Sequence, residues 1–292
     1  AMRVDLPVDI AAESYDLLAS HLVREEADGA LIVAYAGESA REPENVLINT
    51  SAALVRAGIS IKESLIVRNQ RFRSLLCTDS ECCPPCGTPI PELDSSRIAA
   101  EHVIAGHRMP FANVHGLTQS IAALDSSHQP RWQDEVHAFW VSPDSEEIND
   151  LQRDGATAVT DLAGEYLQGR GSEDRELAAR VIGRLSDIQV RDFALGCHTS
   201  ENVDHFWAMW QELLRIAPRG FVAPIACLFA SLAYERGEGA LAQKALDRAL
   251  ADDDQYSLAL LLRRVFNAGW PPESFSAMRS ELHPKVVAGI FG

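Results

Sequence analysis

Apolar residues recur along the chain at two different spacings, and the change from one to the other divides it. Ala11, Tyr15, Leu18 and Leu22 follow one another at helical steps and define one buried stripe. They predict a helix from about Asp9, which caps it, to about Glu26. Ala30 to Tyr35 is a short, continuous apolar run with β-branched members, the pattern of a strand covered on both faces, and Gly37 ends it. A second helix is predicted after Pro43, with Leu47, Leu54 and Val55 inward, stopping at Gly58. Ser64 to Val67 reads as the next strand, residues 70–76 as a further one, and Val4 to Pro7 as the end of an earlier one. Strand, helix and strand with short connections predict a parallel pair with a crossover helix.

The alternation stops near Pro91. Pro84, Pro85, Pro89 and Pro91 each lack a backbone donor and fix their own φ, so the segment after Cys83 is predicted to be an irregular loop. From about Asp94 onward the pattern is helical. Helices are predicted near 95–106, 111–124, 131–141, 145–169, 173–186, 200–217, 221–236, 239–251, 255–268 and 272–281. Asp125 to Pro130 is polar and closed by proline, the best linker candidate. The expected fold is therefore an α/β N-terminal domain over residues 1–124, with a parallel or mixed sheet and crossover helices, followed by an all-α domain over residues 125–292. The latter reads as partly tetratricopeptide-like, because Ala230, Gly237, Ala242, Leu246, Ala249 and Leu250 sit at the offsets of such a helix pair. Asp254 stands where that pattern has proline and no second copy follows, so an ordinary α-hairpin is the competing reading.

Charge narrows the function classes. The 292 residues carry a formal net charge of −16. Residues 1–150 hold 11 Lys/Arg against 23 Asp/Glu, or −12, and residues 151–292 hold 15 against 19, or −4. Such a field repels phosphate backbones and disfavours nucleic-acid or anionic-membrane binding. No apolar run reaches the ~20 residues that cross a bilayer, and the N-terminus lacks a secretory leader, so a cytoplasmic location is expected. Arg68, Arg71 and Arg73 form a local exception, read as an edge strand guarded by charge. Residues 53–67 have a passing look of a helix-turn-helix, which the negative field and the strand-like run at 64–67 reject.

The densest candidate chemistry is a cysteine-rich loop. Of the six cysteines, Cys77, Cys82, Cys83 and Cys86 fall within ten residues. In a reducing compartment that clustering points to a metal site or a packed thiol turn rather than to disulfides. The four thiols are candidate ligands of a structural zinc ion, though the adjacency of Cys82 and Cys83 makes their side chains tend to diverge. Three thiols with His102 or His107 would be a more comfortable set. The expectation is a well-ordered turn packed on the α/β domain, without metal. Redox sensing is disfavoured, because Asp79 and Glu81 raise nearby thiol pKa values. Cys197 and Cys227 lie singly in helical patterns and read as core residues. His115, His198 and His205 show no metalloprotease spacing, and no phosphate loop or nucleophile elbow occurs.

Arg71-Phe72-Arg73-Ser74-Leu75-Leu76-Cys77-Thr78-Asp79, running into Cys82-Cys83-Pro84-Pro85 and Gly87-Thr88-Pro89, resembles an actinobacterial family, the domain of unknown function numbered 4192. Arg3 to Pro7 and Ala245 to Leu250 add to the resemblance, which covers most of the chain. Family members usually carry an acidic residue where Cys86 stands, so a four-thiol site would be peculiar to this chain. They also begin with an upstream strand-rich segment not present here, which would leave the first sheet edge open to pairing. The resemblance implies no activity. A non-enzymatic interaction or scaffold protein is the leading expectation, acting on a protein partner or by self-association; Phe266, Trp270, Phe275 and Phe291 could supply apolar surface for it, though an aromatic-rich terminus is more often the end of a core. The alternative is a metal- or thiol-dependent enzyme with its site near the Cys77–Cys86 loop, at the C-terminal strand ends.

Overall fold

The structure, a computed structural model, describes residues 12–24, 27–37, 42–92, 96–104, 109–111 and 113–292. The expected strand end at Val4–Pro7, the cap at Asp9 and His107 lie outside them. The chain divides into two compact units, Ala1–Pro110 and Phe111–Gly292. The boundary expected between residues 124 and 125 falls inside the second unit. Asp125–His128 forms a 3-10 turn whose Ser127 is buried. Leu124 N donates to Arg215 O at 2.8 Å and the Trp132 indole to Ile216 O at 2.7 Å, which ties this stretch to the helical unit.

The first unit runs α1 (Ala12–Arg24), β1 (Gly29–Tyr35), α2 (Pro43–Arg56), β2 (Ser60–Arg68), β3 (Arg71–Ser74), β4 (Thr88–Pro89) and α3 (Arg97–Ile104). The strands form one mixed sheet in the order β1-β2-β3-β4. β1 and β2 are parallel, joined by α2, and the other two pairs are antiparallel. Pro43 opens α2, where its missing N–H is no loss, and Gly58 closes the turn beyond it at φ 87°. Asn69 and Gln70, both left-handed at φ 50° and 57°, make the two-residue hairpin between β2 and β3. β4 runs through a proline, as only a short edge strand can, and Ile90 N donates to Gln70 O beside it at 2.9 Å.

The second unit holds α4 (Val114–Gln119), α5 (Pro130–His137), α6 (Ile148–Leu167), α7 (Arg175–Arg184), α8 (Ile188–Gly196), α9 (Val203–Ile216), α10 (Val222–Glu235), α11 (Gly239–Asp252), α12 (Ser257–Asn267) and α13 (Pro272–Phe291). No strand occurs between residues 113 and 292. Its core is one continuous cluster around α10, which is apolar on nearly every face and buried along almost all its length. α11 packs back on α10 through Ala242, Leu246 and Ala249, against Ala230, with Gly237 at φ 78° making the turn. Small residues let the two helices approach, as any close α-hairpin requires. Several boundaries differ from expectation: the helix expected near 111–124 is the shorter α4, and the one expected near 131–141 ends at His137. The helix expected over 173–186 ends at Arg184, and Asp187 starts α8 by accepting from Gln189 N at 2.8 Å and Val190 N at 3.1 Å. α13 continues past Pro284 to Phe291 rather than stopping near 281.

Candidate functional site

The cysteine loop connects β3 to β4 and is held by four polar anchors. Ser74 Oγ accepts from Leu76 N at 3.1 Å and Cys77 N at 3.0 Å, and donates to Glu63 Oε1 at 2.7 Å. Asp79 Oδ1 accepts from Glu81 N at 2.8 Å and Cys82 N at 3.4 Å, while Asp79 O accepts from Cys83 N at 2.8 Å. Arg71 Nε donates to both Cys86 O and Gly87 O at 2.9 Å. Gly87 has φ 76°, and a Cβ there would stand 3.0 Å from Phe72 O, so glycine is required where the loop re-enters the sheet.

That turn brings three of the four candidate thiols together. The sulfurs of Cys77, Cys82 and Cys83 all lie within 4.8 Å of one another. The expected divergence of the adjacent Cys82 and Cys83 side chains does not occur, because the Asp79–Cys83 hydrogen bond curls the backbone between the acceptor and the thiols. Cys86 is not part of the cluster: its Sγ lies 3.8 Å from Arg71 Nη2. His102 sits on α3, and among the described residues no histidine joins the sulfurs. The Cys82 thiol is pushed up to about 11, first by its hydrogen bonding with Cys83 and Cys77, then by their charge and by burial. A thiol so shifted is protonated near neutrality.

The other sequence candidates take structural places. Arg71 staples the loop, Arg73 pairs with Glu44 of α2 at 3.4 Å, and Arg68 stands opposite Arg71 in the β2–β3 hairpin. β3 is thus not the sheet edge. Burial pushes the Cys197 and Cys227 thiols up to about 12, as befits core cysteines. Phe266 and Phe275 are buried and pack with Tyr234, whereas Trp270 and Phe291 remain half exposed. One polar cluster has no sequence signal: His198, Glu235 and Arg279 meet inside the helical unit from three separate segments.

One face of the sheet in the first unit is covered by α1 and α2. Ala30, Ala34 and Ile66 pack against Ala19, Leu47, Ala53 and Leu54 of α1 and α2. The opposite face carries Leu31, Val33 and Tyr35 of β1, beside Leu65 and Val67 of β2 and Phe72 of β3. Leu31 and Tyr35 are 65% and 74% exposed. Among the described residues no helix is long and apolar enough to cross a membrane.

A small mixed sheet bearing a thiol loop, followed in sequence by an all-helical unit, defines the class of protein. Residues 1–273 match the family described as Domain of unknown function (DUF4192), and the chain belongs to that family. No curated protein and no solved structure matches the chain.

Proposed function

We propose that this chain is a non-enzymatic interaction protein that receives a basic amphipathic helix of a partner on the open face of its sheet. The observation that carries the reading is the exposure of Leu31 and Tyr35 on a face that also bears Val33, Leu65, Val67 and Phe72, with Glu63 and Ser74 paired at 2.7 Å beside them. Parallel strand pairs are ordinarily covered on both faces, and large exposed apolar patches mark interaction sites. Charge selects the occupant: residues 1–110, the unit that holds the sheet, carry 10 Lys/Arg against 16 Asp/Glu, or −6, which opposes a second copy and favours a partner rich in Lys and Arg. A helix of about 15 residues, at ~1.5 Å per residue, matches the ~23 Å length of a seven-residue strand. The α10–α11 hairpin supports a tetratricopeptide-like helix pair in the second unit, in keeping with an interaction role.

Binding of a fluorescent Leu/Lys amphipathic peptide, followed by anisotropy, tests the reading. The Leu31→Thr/Tyr35→Thr variant is expected to bind at least about tenfold more weakly, a loss of ~1.4 kcal/mol. Equal binding of a scrambled peptide of the same composition, or of the variant, refutes it. Dimerisation in sedimentation that is lost in the variant would make the occupant a second copy instead.

A thiol-dependent enzyme is the second reading, favoured by the convergence of three sulfurs. The elevated pKa of Cys82 weighs against it, since the thiolate is the nucleophile.

A further inference from the structure

The geometry points to a site for a thiophilic closed-shell cation, zinc above all, held by the sulfurs of Cys77, Cys82 and Cys83, with its fourth coordination position open to an outside ligand and Cys86 excluded. The inference rests on the loop alone and is independent of the sheet face.

Zinc–sulfur bonds of ~2.3 Å in a tetrahedron place the sulfurs about 3.8 Å apart. The three sulfurs already lie within 4.8 Å of one another, so binding draws them together by no more than about 1 Å. The backbone that carries them is fixed by groups that do not use the sulfurs. Ser74 Oγ holds the amides of Leu76 and Cys77, and Asp79 holds those of Glu81, Cys82 and Cys83. The one sulfur contact to backbone within the set is Cys77 Sγ with Asp79 O at 3.9 Å, a weak interaction that a metal bond easily replaces. The backbone that presents the ligands is thus ordered before the ion arrives.

Cys86 is kept apart by the same residue that closes the loop. The Arg71 guanidinium is pinned by the Cys86 and Gly87 carbonyls, and its Nη2 stands 3.8 Å from Cys86 Sγ. Bringing Cys86 to the ion would break these contacts. A dication on three thiolates retains one negative charge. Closed four-ligand zinc sites are structural, whereas three protein ligands leave a position for water or another donor. Cys82 is exposed, with Cys77 and Cys83 half-buried, so both the ion and an outside ligand have access.

Metal binding by the whole, fully reduced chain under anaerobic conditions tests the site. One equivalent of Co2+ is expected to give tetrahedral ligand-field bands and thiolate-to-cobalt charge transfer, displaced by one equivalent of Zn2+. X-ray absorption of the zinc form is expected to show three sulfur neighbours and one lighter atom. Loss of an outer partner costs about 10–100-fold in metal affinity, so losing a ligand costs more. Cys77→Ser, Cys82→Ser and Cys83→Ser are each expected to weaken zinc binding more than about 100-fold, and Cys86→Ser less than about threefold. Failure of the reduced wild-type chain to take up either metal overturns the inference. Four sulfur neighbours, or a loss in Cys86→Ser equal to the others, overturns the open position. The absorption measurement needs no variant, so a misfolded variant does not decide the matter.

Discussion

Removing the guanidinium of Arg279 should destabilise the helical unit more than any other single polar change there. Arg279 enters from α13 and is 5% exposed at its side chain; Glu235, at the end of α10, is 11% exposed, and His198 is 4% exposed. Arg279 Nε and Nη2 donate to the two oxygens of Glu235 at 2.7 and 3.2 Å, a bidentate pair. Arg279 Nη1 donates to Gly196 O and His198 O, both at 3.1 Å, and His198 Nε2 completes the cluster 3.1 Å from Glu235. Arg279→Leu leaves a buried carboxylate without its cation and two carbonyls without a donor. Breaking a buried pair from one side costs about 3–5 kcal/mol, and retention of His198 places the expected loss near ~3 kcal/mol. All five tryptophans lie beyond residue 130, so tryptophan fluorescence in urea reports on this unit. With an m-value of ~2 kcal/mol/M, the midpoint should fall by roughly 1.5 M. Arg279→Leu/Glu235→Leu should recover more than half of the loss, because an apolar pair removes the stranded charge. A single-variant loss below about 0.5 kcal/mol, or a double variant no better than the single, refutes the reasoning. Acid adds an independent check. Burial raises the Glu235 pKa, but the hydrogen bonds and charges of His198 and Arg279 outweigh it and hold the carboxyl below its ordinary 4.5. The unfolded chain therefore takes up this proton first as pH falls. The stabilisation is present above about pH 4.5 and is lost as pH drops through the folded value, a dependence that Glu235→Leu should flatten.

Gly183→Ala should lower the thermal midpoint of the helical unit by about 6–12 °C, from a loss of ~3 kcal/mol, and a shift within about 2 °C would contradict the packing. A Cβ at that position of α7 would stand 2.5 Å from Val136 O and 2.6 Å from Phe139 Cβ, and a backbone carbonyl cannot swing aside. Asp252→Ala should cost about 2 kcal/mol in urea unfolding and speed hydrogen exchange at Val222 and Ala223, with Asp252→Asn milder; unchanged exchange at both amides would refute it. The Asp252 carboxylate, at the end of α11, accepts from Gly220 N at 2.7 Å, Val222 N at 2.9 Å and Ala223 N at 3.1 Å, capping α10 from a neighbouring helix.

What the sequence carries well is what repeats locally. The apolar run at Ala30–Tyr35, the strand through Ser64–Val67 and the helices of the last third follow from spacing alone, because each buries a face that its own period defines. Two prolines lie inside regular elements that the sequence reading did not extend over them. Pro284 stands inside α13, where the helix tolerates a missing donor, and Pro89 lies in β4, where the edge of the sheet needs none. The polar stretch before Pro130 reads as a linker, yet Ser127 is buried there because its hydroxyl closes onto Leu124 O at 2.7 Å.

The candidate site was half legible for a related reason. Four thiols in ten residues are visible as a count, but which of them meet is decided by hydrogen bonds that no spacing encodes. Asp79 gathers the amides of Glu81, Cys82 and Cys83, and Arg71, fifteen residues before Cys86 along the chain, turns that thiol away. The Glu235–Arg279 pair, 44 residues apart, is invisible for the same reason. The two units differ in what holds them. The helical unit encloses a single large apolar cluster, whereas the described residues of the sheet unit form two small ones, Ala19, Ala30, Ala53, Leu54 and Ile59 in one and Ala34, Leu47 and Ile66 in the other. Any unit gains stability from whatever binds its folded form and not its unfolded one. A helix on the open face and a cation in the thiol loop both meet that condition. Both act on the first unit, so its binding and its folding should prove to be linked.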